Sequence, residues 1–306
     1  MYNFLRRITF TLLVIETLVG MAANGFIVLI NCIDWFRTRK LSPNDLILSC
    51  LGLSRLAWLV VMTLDRTKVF FSLGNHIWDT HVMPPIVWIF TNSANIWFAT
   101  WLSVFYLAKI AIFSHPIFLQ VKQRISALVP WLLLGSVIFS AMTAVILMTS
   151  LNNGFAMCNP SNDSEIKEPD SWKYLDILGM APNLIPFLIF LSSTILLISS
   201  LWKHMRRVQS NGTGTGDLNT QAHLSAIKAL ASFAVLYLSS FLAITSQAVL
   251  ILNNMDHSLP VRLLDLVVAA YPSAHTIILI LINPKLKQAW VRMLHPLKCC
   301  LREVPT

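Results

Sequence analysis

Charged residues are scarce in this chain. Asp, Glu, Lys and Arg make up 12% of its 306 residues, whereas soluble domains carry about 25%. Hydrophobic residues make up 56%, which is more apolar surface than a soluble fold of this size can bury. The composition therefore excludes an ordinary soluble domain and favours an integral membrane protein with several spans.

Cysteines that could form an outer disulfide are also lacking. The chain has five cysteines, of which Cys158 alone falls in a candidate outer loop. No spacing of the C-x2-C kind is present, so we expect neither a disulfide framework nor a metal site. Catalytic patterns such as G-x-S-x-G and H-E-x-x-H, and paired aspartates within the apolar stretches, are absent as well. We therefore expect no enzyme activity and no cofactor.

The apolar residues are gathered into seven long stretches. A bilayer core of about 30 Å needs roughly 20 apolar residues in helical form, and seven stretches meet this length. They cover approximately residues 8–33, 45–64, 84–111, 126–150, 177–202, 226–252 and 262–283. The pattern predicts an all-α integral membrane protein in which residues 1–283 form one seven-transmembrane helix bundle. Residues 284–306 are then a cytoplasmic C-terminal helix and tail.

The distribution of basic residues predicts the orientation of the bundle. Of the 23 Lys and Arg residues, fifteen fall on the side of the C-terminus, seven on the side of the N-terminus, and Arg55 lies within a span. Since cytoplasmic loops carry the excess of basic residues, we expect an extracellular N-terminus in the plasma membrane. The net charge of +9 reflects these loops rather than nucleic-acid binding.

Two further segments agree with that orientation. The tripeptide "NDS" at Asn162 is a glycosylation acceptor in the second outer loop. After the seventh stretch, "KLKQAWVRMLHPLKCC" alternates basic and apolar residues at helical spacing, which is typical of a short amphipathic helix on the inner surface of the bilayer. Cys299 and Cys300 at its end are either palmitoylation sites or two free thiols.

Several sequence blocks, taken in order, resemble one receptor family. The blocks are "NCIDWFRTRKLSPNDLIL", "LGLSR", "WFATWLSVFYLAKIAIFSHPIFL", "LLISSLWKH", "QAHLSAIKAL" and "YPSAHTIILILINPKLKQ". Together they look like the type 2 taste receptors, the bitter taste receptors among G-protein-coupled receptors. The resemblance implies a receptor that binds small, chemically diverse bitter compounds in an outer-half pocket. It also implies activation of a heterotrimeric G protein with a gustducin-like α subunit and βγ.

Arg55 is the one basic residue at mid-bilayer depth. Ionisable residues there normally face the bundle interior and find partners, and a guanidinium offers only donors. We expect Arg55 to join spans one, two and seven through Asn24, Ser273, His275 and carbonyls freed by Pro272. It is either a static structural link or a switch that repacks on activation.

A polar and aromatic stripe runs down the third span at steps of three or four residues. Its members are Trp88, Asn92, Asn95, Ala99 and Ser103. One face of a helix with this character is typical of a pocket wall or of hydrogen bonding between helices. The resemblance adds that the positions matching Trp88 and Asn92 contribute to the ligand site.

Three other residues are candidate ligand contacts. Asp265 near the start of the seventh span is either an anchor for an amine ligand or part of a solvated helix end. Arg66 closes the second span at the same level as a ligand contact or as part of a salt-bridged rim, and family members often have an aromatic residue there. Tyr237 lies where the resemblance places an aromatic or polar toggle.

The predicted cytoplasmic ends of three spans carry candidate contacts for the G protein. These are Tyr106, Lys109, His115, His204 and Lys228. The bias of basic residues towards the cytoplasm explains most of these positions without any partner, and the assignment depends on the resemblance.

Two other functions remain as alternatives. The chain could be a receptor of the same family that is used outside taste. A transporter or channel would instead require helical repeats or acidic residues along a midplane path, and only Glu16 and Arg55 approach that depth.

Overall fold

The computed structural model describes residues 2–71, 85–111, 116–158, 171–210, 216–253, 255 and 258–302. Two of the predicted site residues, His115 and Asn162, lie outside these ranges. Cys299 and Cys300 lie in the last helix, but their side chains are outside the described part of the chain.

The described residues form helices and contain no strand. The helices are α1 (Tyr2–Thr38), α2 (Pro43–Phe71), α3 (Pro85–Ile110), α4 (Pro116–Cys158), α5 (Ser171–Ser210), α6 (Gly216–Leu252), α7 (Leu259–Ile282) and α8 (Pro284–Arg302). This architecture confirms the prediction of an all-α bundle of seven long helices followed by a short one.

Six of the long helices in the described ranges have the length and apolar composition needed to cross a membrane, namely α1, α2, α4, α5, α6 and α7. The exception, α3, has a run of polar residues that lowers its hydropathy. Thr91, Asn92, Ser93 and Asn95 are all buried in the bundle, where α3 packs against α2, α4 and α5. The polar residues of α3 thus lie among three neighbouring helices, as expected if they bind partners rather than lipid.

Local signals account for several helix boundaries. Arg39 ends α1 with a positive φ of 53°, and the Ser42 hydroxyl accepts a hydrogen bond from the Asp45 N–H at 3.1 Å at the start of α2. Asn283 separates α7 from α8, and its side-chain oxygen accepts from the Lys285 N–H at 3.0 Å. Pro284 then begins α8, since proline at the first helical position sacrifices no intrahelical hydrogen bond.

The helices pack in a closed arrangement in which α1 contacts α2 and α7, and α6 contacts α5 and α7. The outward surface of α4 is apolar, and Trp131 there is 72% exposed. An apolar surface of this extent is stable against lipid but not against water. We call the end of the bundle where α1 begins the N-terminal end, and the opposite end, where α8 lies, the α8 end.

α1 and α7 approach each other closely at Gly20. A Cβ atom added there would lie 2.2 Å from the Ser273 Oγ and 3.1 Å from a Leu59 methyl carbon, whereas one added at Gly25 would meet nothing within 4 Å. Small residues at membrane helix interfaces permit such contact between backbones. The close contact fixes the depth of α1 relative to the polar residues of α7.

Candidate functional site

Arg55 lies at the centre of the bundle with its side chain fully buried. Its Nε donates to Asn95 Oδ1 at 3.1 Å, and its Nη1 donates to Thr276 Oγ1 at 3.0 Å. Its Nη2 lies 2.5 Å from His275 Nδ1. The guanidinium carbon is also 5.1 Å from the centre of the Tyr271 ring, within range of a cation–π contact. One side chain of α2 thus contacts both α3 and α7.

The hydrogen bond with Arg55 sets the protonation of His275. A guanidinium has donors and no acceptor, so Nδ1 must accept and cannot carry a proton. His275 is therefore the neutral tautomer with its hydrogen on Nε2. The Arg55 cation consequently has a neutral neighbour here and not a second charge.

Asn24 joins this network through Thr276. The Thr276 hydroxyl lies 2.9 Å from Asn24 Oδ1 and 2.7 Å from the Pro272 carbonyl oxygen, and its single hydrogen is donated to one of them. Ser273, which we expected to contact Arg55, is instead within hydrogen-bond distance of the Glu16 and Ala269 carbonyls. α1 is therefore connected to Arg55 by way of α7, and α3 provides a direct partner that the sequence did not indicate.

A cavity lies beside this network, between α2, α3, α6 and α7. Its cavity volume is about 20 Å³. Its lining includes Trp58, Asn92, Asn95, Tyr237, Ser240 and Tyr271. The Tyr237 and Tyr271 hydroxyls and the Trp58 indole nitrogen are buried without a hydrogen-bond partner among the described residues. Buried polar groups of this kind normally have a hydrogen-bond partner, so the cavity is suited to a polar occupant.

The structure brings three of the predicted ligand contacts, Asn92, Asn95 and Tyr237, to this cavity. Trp88 does not line it; that side chain is partly buried and packs with a cluster that contains Ile89 and Ala144. Sequence reasoning missed Trp58, because a tryptophan in an apolar stretch carries no signal that separates a cavity wall from a packed core.

A second cavity lies one helical turn closer to the α8 end. Its cavity volume is about 10 Å³. Ala99, Phe233 and His275 line it, and each is four residues along its helix from a lining residue of the first cavity. The stripe predicted on α3 thus passes from one cavity to the next, and Tyr106, a predicted G-protein contact, lines the second.

An ion pair lies about one helical turn beyond the first cavity, towards the N-terminal end of the bundle. Arg66 Nη2 lies 2.8 Å from Asp265 Oδ1; the Arg66 side chain is 33% exposed and the Asp265 side chain 6%. The Gln247 amide also donates to Asp265 Oδ1 at 2.8 Å. The carboxylate that we expected to anchor an amine is already engaged, so an amine ligand would have to compete with Arg66 for it.

The remaining predicted cytoplasmic contacts lie on three different helices. Lys109 near the end of α3 is exposed, with its ammonium 6.0 Å from the centre of the Phe105 ring. His204 is partly buried in α5, and Lys228 is exposed in α6. No group of three His, Cys, Asp or Glu residues within the described ranges could hold a metal ion.

A further polar cluster at the α8 end was not anticipated from the sequence. Lys285 Nζ lies 2.6 Å from Asp34 Oδ2, 3.0 Å from Asp45 Oδ2 and 3.0 Å from Asn31 Oδ1. Burial opposes the charged form of this amine, but the hydrogen bonds and charges of the two aspartates outweigh it and raise the pKa of Lys285. The charged amine thus holds the start of α8 against α1 and α2 at neutral pH.

Comparison with known proteins shows the family of the chain. The family model described as "Taste receptor protein (TAS2R)" matches residues 1–298. The chain belongs to the type 2 taste receptors. It is 37% identical over 306 residues to taste receptor type 2 member 39 of Macaca mulatta, covering 96% of this chain and 88% of the relative. It is 36% identical over 304 residues to member 9 of Homo sapiens, covering 94% and 93%.

A solved structure with the same arrangement of helices is squid rhodopsin. It superposes with a TM-score of 0.61 over 96% of this chain and 87% of the rhodopsin chain, at 13% sequence identity. The likeness shows that this type 2 taste receptor has the rhodopsin-like seven-helix fold. The membership and the apolar helices together identify a multi-pass membrane protein of a receptor family.

Proposed function

We propose that the chain is a bitter taste receptor whose agonists bind in the first cavity. The observation that carries this proposal is the set of buried polar groups without partners among the residues that line this cavity. Ligand sites typically set a few polar groups among apolar and aromatic side chains, and an agonist would enlarge this cavity by separating α6 from α7. In this proposal the N-terminal end of the bundle faces the outside of the plasma membrane.

The apolar part of the lining supports ligands of diverse chemistry. Ile96, Phe241, Ile244 and Val268 line the cavity together with the polar groups. Contacts with such side chains depend on area and shape rather than on a fixed pattern of donors and acceptors. The cavity therefore suits small, largely apolar bitter compounds with one or two polar groups.

Agonist binding would be transmitted through the aromatic residues between the two cavities. The Tyr237 ring lies 5.2 Å from that of Tyr271, and the Phe233 ring lies 4.1 Å from that of His275. An agonist that separates Tyr237 from Tyr271 would loosen α6 from α7 over the following turn. Binding thereby favours the state in which α6 has moved outward at the α8 end.

The output of that movement would be activation of a heterotrimeric G protein with a gustducin-like α subunit and βγ. The helices that frame the α8 end carry Lys109, His204 and Lys228. Tyr106 lies about one turn before Lys109 on α3, and His115 follows α3 in the sequence. An outward displacement of α6 would open a cleft between these helices. Basic groups at its edge would suit an acidic or C-terminal carboxylate group of the G protein.

Calcium imaging of cells that co-express the chain and a promiscuous G protein tests the proposal. A panel of bitter compounds is applied to the native chain, to Asn92→Ala and to Tyr237→Ala, with Val235→Ala as the control because Val235 is 65% exposed on the outward side of α6. We expect the cavity variants to raise the half-maximal agonist concentration about tenfold or more, at equal surface expression.

Equal potency in all four proteins would refute the cavity as the agonist site. A calcium response that persists without any coupled G protein would instead favour a channel. Lys228→Ala tests the opposite end, since it should reduce signalling while agonist binding, measured directly, is unchanged.

A further inference from the structure

Arg55 is a buried cation without an anionic partner among the described residues. Its three hydrogen-bond partners, Asn95, Thr276 and His275, are neutral. The Tyr271 ring, 5.1 Å from the guanidinium carbon, is also neutral, because a phenol keeps its proton at neutral pH. Buried charges in proteins are normally paired, so the positive charge calls for an anion that the described side chains do not provide.

The first cavity lies next to this uncompensated charge. Asn95 and Tyr271 each contact Arg55 and also line the cavity. Arg55 uses three of its five N–H groups in the observed hydrogen bonds, which leaves two for another acceptor. The field of the guanidinium therefore extends into the cavity across a low-dielectric interior, where it is weakly screened.

The polar atoms of the cavity that lack a partner can all donate hydrogen bonds. They are the hydroxyls of Tyr237 and Tyr271 and the indole N–H of Trp58, and each of the three residues is 3% exposed. An indole N–H donates and cannot accept. No carboxylate is among the residues that line this cavity in the described part of the chain. A neighbouring cation and three buried donors on residues that line one cavity are the chemistry of an anion site.

The choice of occupant follows from charge. A cation would be repelled by Arg55, and water would satisfy the donors but leave the positive charge uncompensated. A divalent anion would reverse the local charge and carry a larger dehydration cost. We propose that the first cavity holds a small monovalent inorganic anion, for which chloride is the probe, at the level of Tyr237, Tyr271 and Trp58.

The anion would occupy part of the cavity proposed for agonists. Its test requires neither agonist nor G protein, so the two proposals can fail separately. The purified full-length chain in lipid nanodiscs is melted in sodium gluconate and in sodium chloride at equal ionic strength. Chloride binding is then measured directly by the broadening of the ³⁵Cl resonance. We expect chloride to raise the Tm and to broaden the resonance, because a ligand that binds only the folded state stabilises it.

The variants Tyr237→Phe, Tyr271→Phe and Trp58→Phe each remove a donor and keep an aromatic ring. Each should weaken chloride binding about tenfold, the effect of losing one hydrogen bond to a charged group. Trp97→Phe is the matched control. Its indole nitrogen is also buried without a partner, but Trp97 stacks on Trp101 at 5.7 Å and does not line the cavity.

A chloride effect that is lost in the cavity variants and kept in Trp97→Phe supports the site. Equal Tm values in the two salts, with no line broadening for the native chain, would overturn it. An effect of equal size in all variants would also overturn it, since the anion would then bind elsewhere. Each substitution keeps an aromatic side chain, and the Tm of each variant in gluconate shows whether it is folded.

Discussion

At the scale of single residues, the fully buried Arg55 explains why a charge is kept in an apolar helix. Placing arginine at mid-bilayer depth costs roughly 2.5–3.5 kcal/mol on insertion scales. Three hydrogen bonds and the Tyr271 ring offset this cost. In return, the side chain connects α2 to α3 and α7, which have few other polar contacts at that depth.

Replacing Arg55 with leucine should destabilise the bundle. The substitution leaves Asn95 and His275 without their partner, and each unsatisfied buried group costs about 1–3 kcal/mol. We expect a lower Tm of the purified protein and several-fold less chain at the cell surface, measured by labelling of an N-terminal tag. Arg124→Leu is the control because Arg124 is exposed on α4. A native Tm and surface level in Arg55→Leu would contradict the structural role of the guanidinium.

The Arg66–Asp265 ion pair predicts opposite effects of two substitutions on amine agonists. Asp265→Asn removes the charge that would attract an ammonium group, so the potency of such an agonist should fall. Arg66→Gln removes the competitor for the same carboxylate, so its potency should rise. Concentration–response curves for an amine agonist and a neutral agonist measure both effects, and the neutral agonist should respond to neither change. A fall in amine potency in both variants would exclude Asp265 as the anchor.

At the scale of helices, close packing rather than apolarity decides how α1 and α7 fit together. The Cβ of an alanine at position 20 would collide with the Ser273 Oγ. It would also lie 3.2 Å from the Ser273 Cβ, so rotation of the hydroxyl would not relieve the contact fully. The same addition at Gly25 meets open space. The polar network around Thr276 depends on this spacing, since Asn24 belongs to the same helix face of α1.

Gly20→Ala should therefore lower the Tm, whereas Gly25→Ala should leave it unchanged or raise it slightly. Overpacking of this kind costs typically about 1–3 kcal/mol, while alanine is favoured over glycine in a helix by up to about 1 kcal/mol. Thermal melting of the two purified variants in the same lipid gives the comparison. If both substitutions changed the Tm equally, the close approach of α1 and α7 would not exist in the membrane.

Sequence reasoning predicted the number of helices better than their lengths. The apolar stretch 126–150 marks the part of α4 that lies in hydrocarbon, whereas the helix covers Pro116–Cys158. Hydropathy ends where the bilayer ends, but the i to i−4 hydrogen bonds continue through polar residues beyond it. Helix bounds outside the apolar core are therefore not encoded in the pattern that reveals the span.

The candidate site was predicted as separate residues and not as contacts. The stripe on α3 identified Asn95, and charge identified Arg55, but their hydrogen bond depends on the relative depth of two helices that the sequence does not specify. The same reason hid Lys285, whose partners Asp34 and Asp45 lie about 240 to 250 positions away in the chain. The family resemblance assigns roles to single positions, whereas the contacts between those positions become known only from the folded structure.

At the scale of the whole molecule, exposed apolar side chains surround a polar centre. Leu134, Ile138 and Met142 on α4 are each more than half exposed, while Asn24, Arg55 and Thr276 are buried at 1% or less. A water-soluble protein has the reverse distribution. The bilayer thus acts as the outer solvent, and the excess of basic residues on one side decides which end enters the cytoplasm.

That orientation predicts which glycosylation acceptor is used. In the proposed orientation the loop with Asn162 faces the secretory lumen, so Asn162 should carry a glycan. The "NGT" tripeptide at Asn211 would face the cytoplasm and should remain unmodified. Digestion with an endoglycosidase, followed by gel electrophoresis, should shift the native chain and Asn211→Gln but not Asn162→Gln. A shift that requires Asn211 would mean that the N-terminus is cytoplasmic.

The ion pairs near the two ends of α7 have a mechanical consequence. Asp265 is tied to α2 by Arg66, and Lys285, just past the other end, is tied to α1 and α2. Because α7 is held near both ends, a sideways force should bend its middle rather than shift or tilt the whole helix. That middle contains Pro272, where the ring removes one backbone hydrogen bond and lowers the stiffness. Force applied by a ligand at Tyr271 would therefore bend α7 at its softest point.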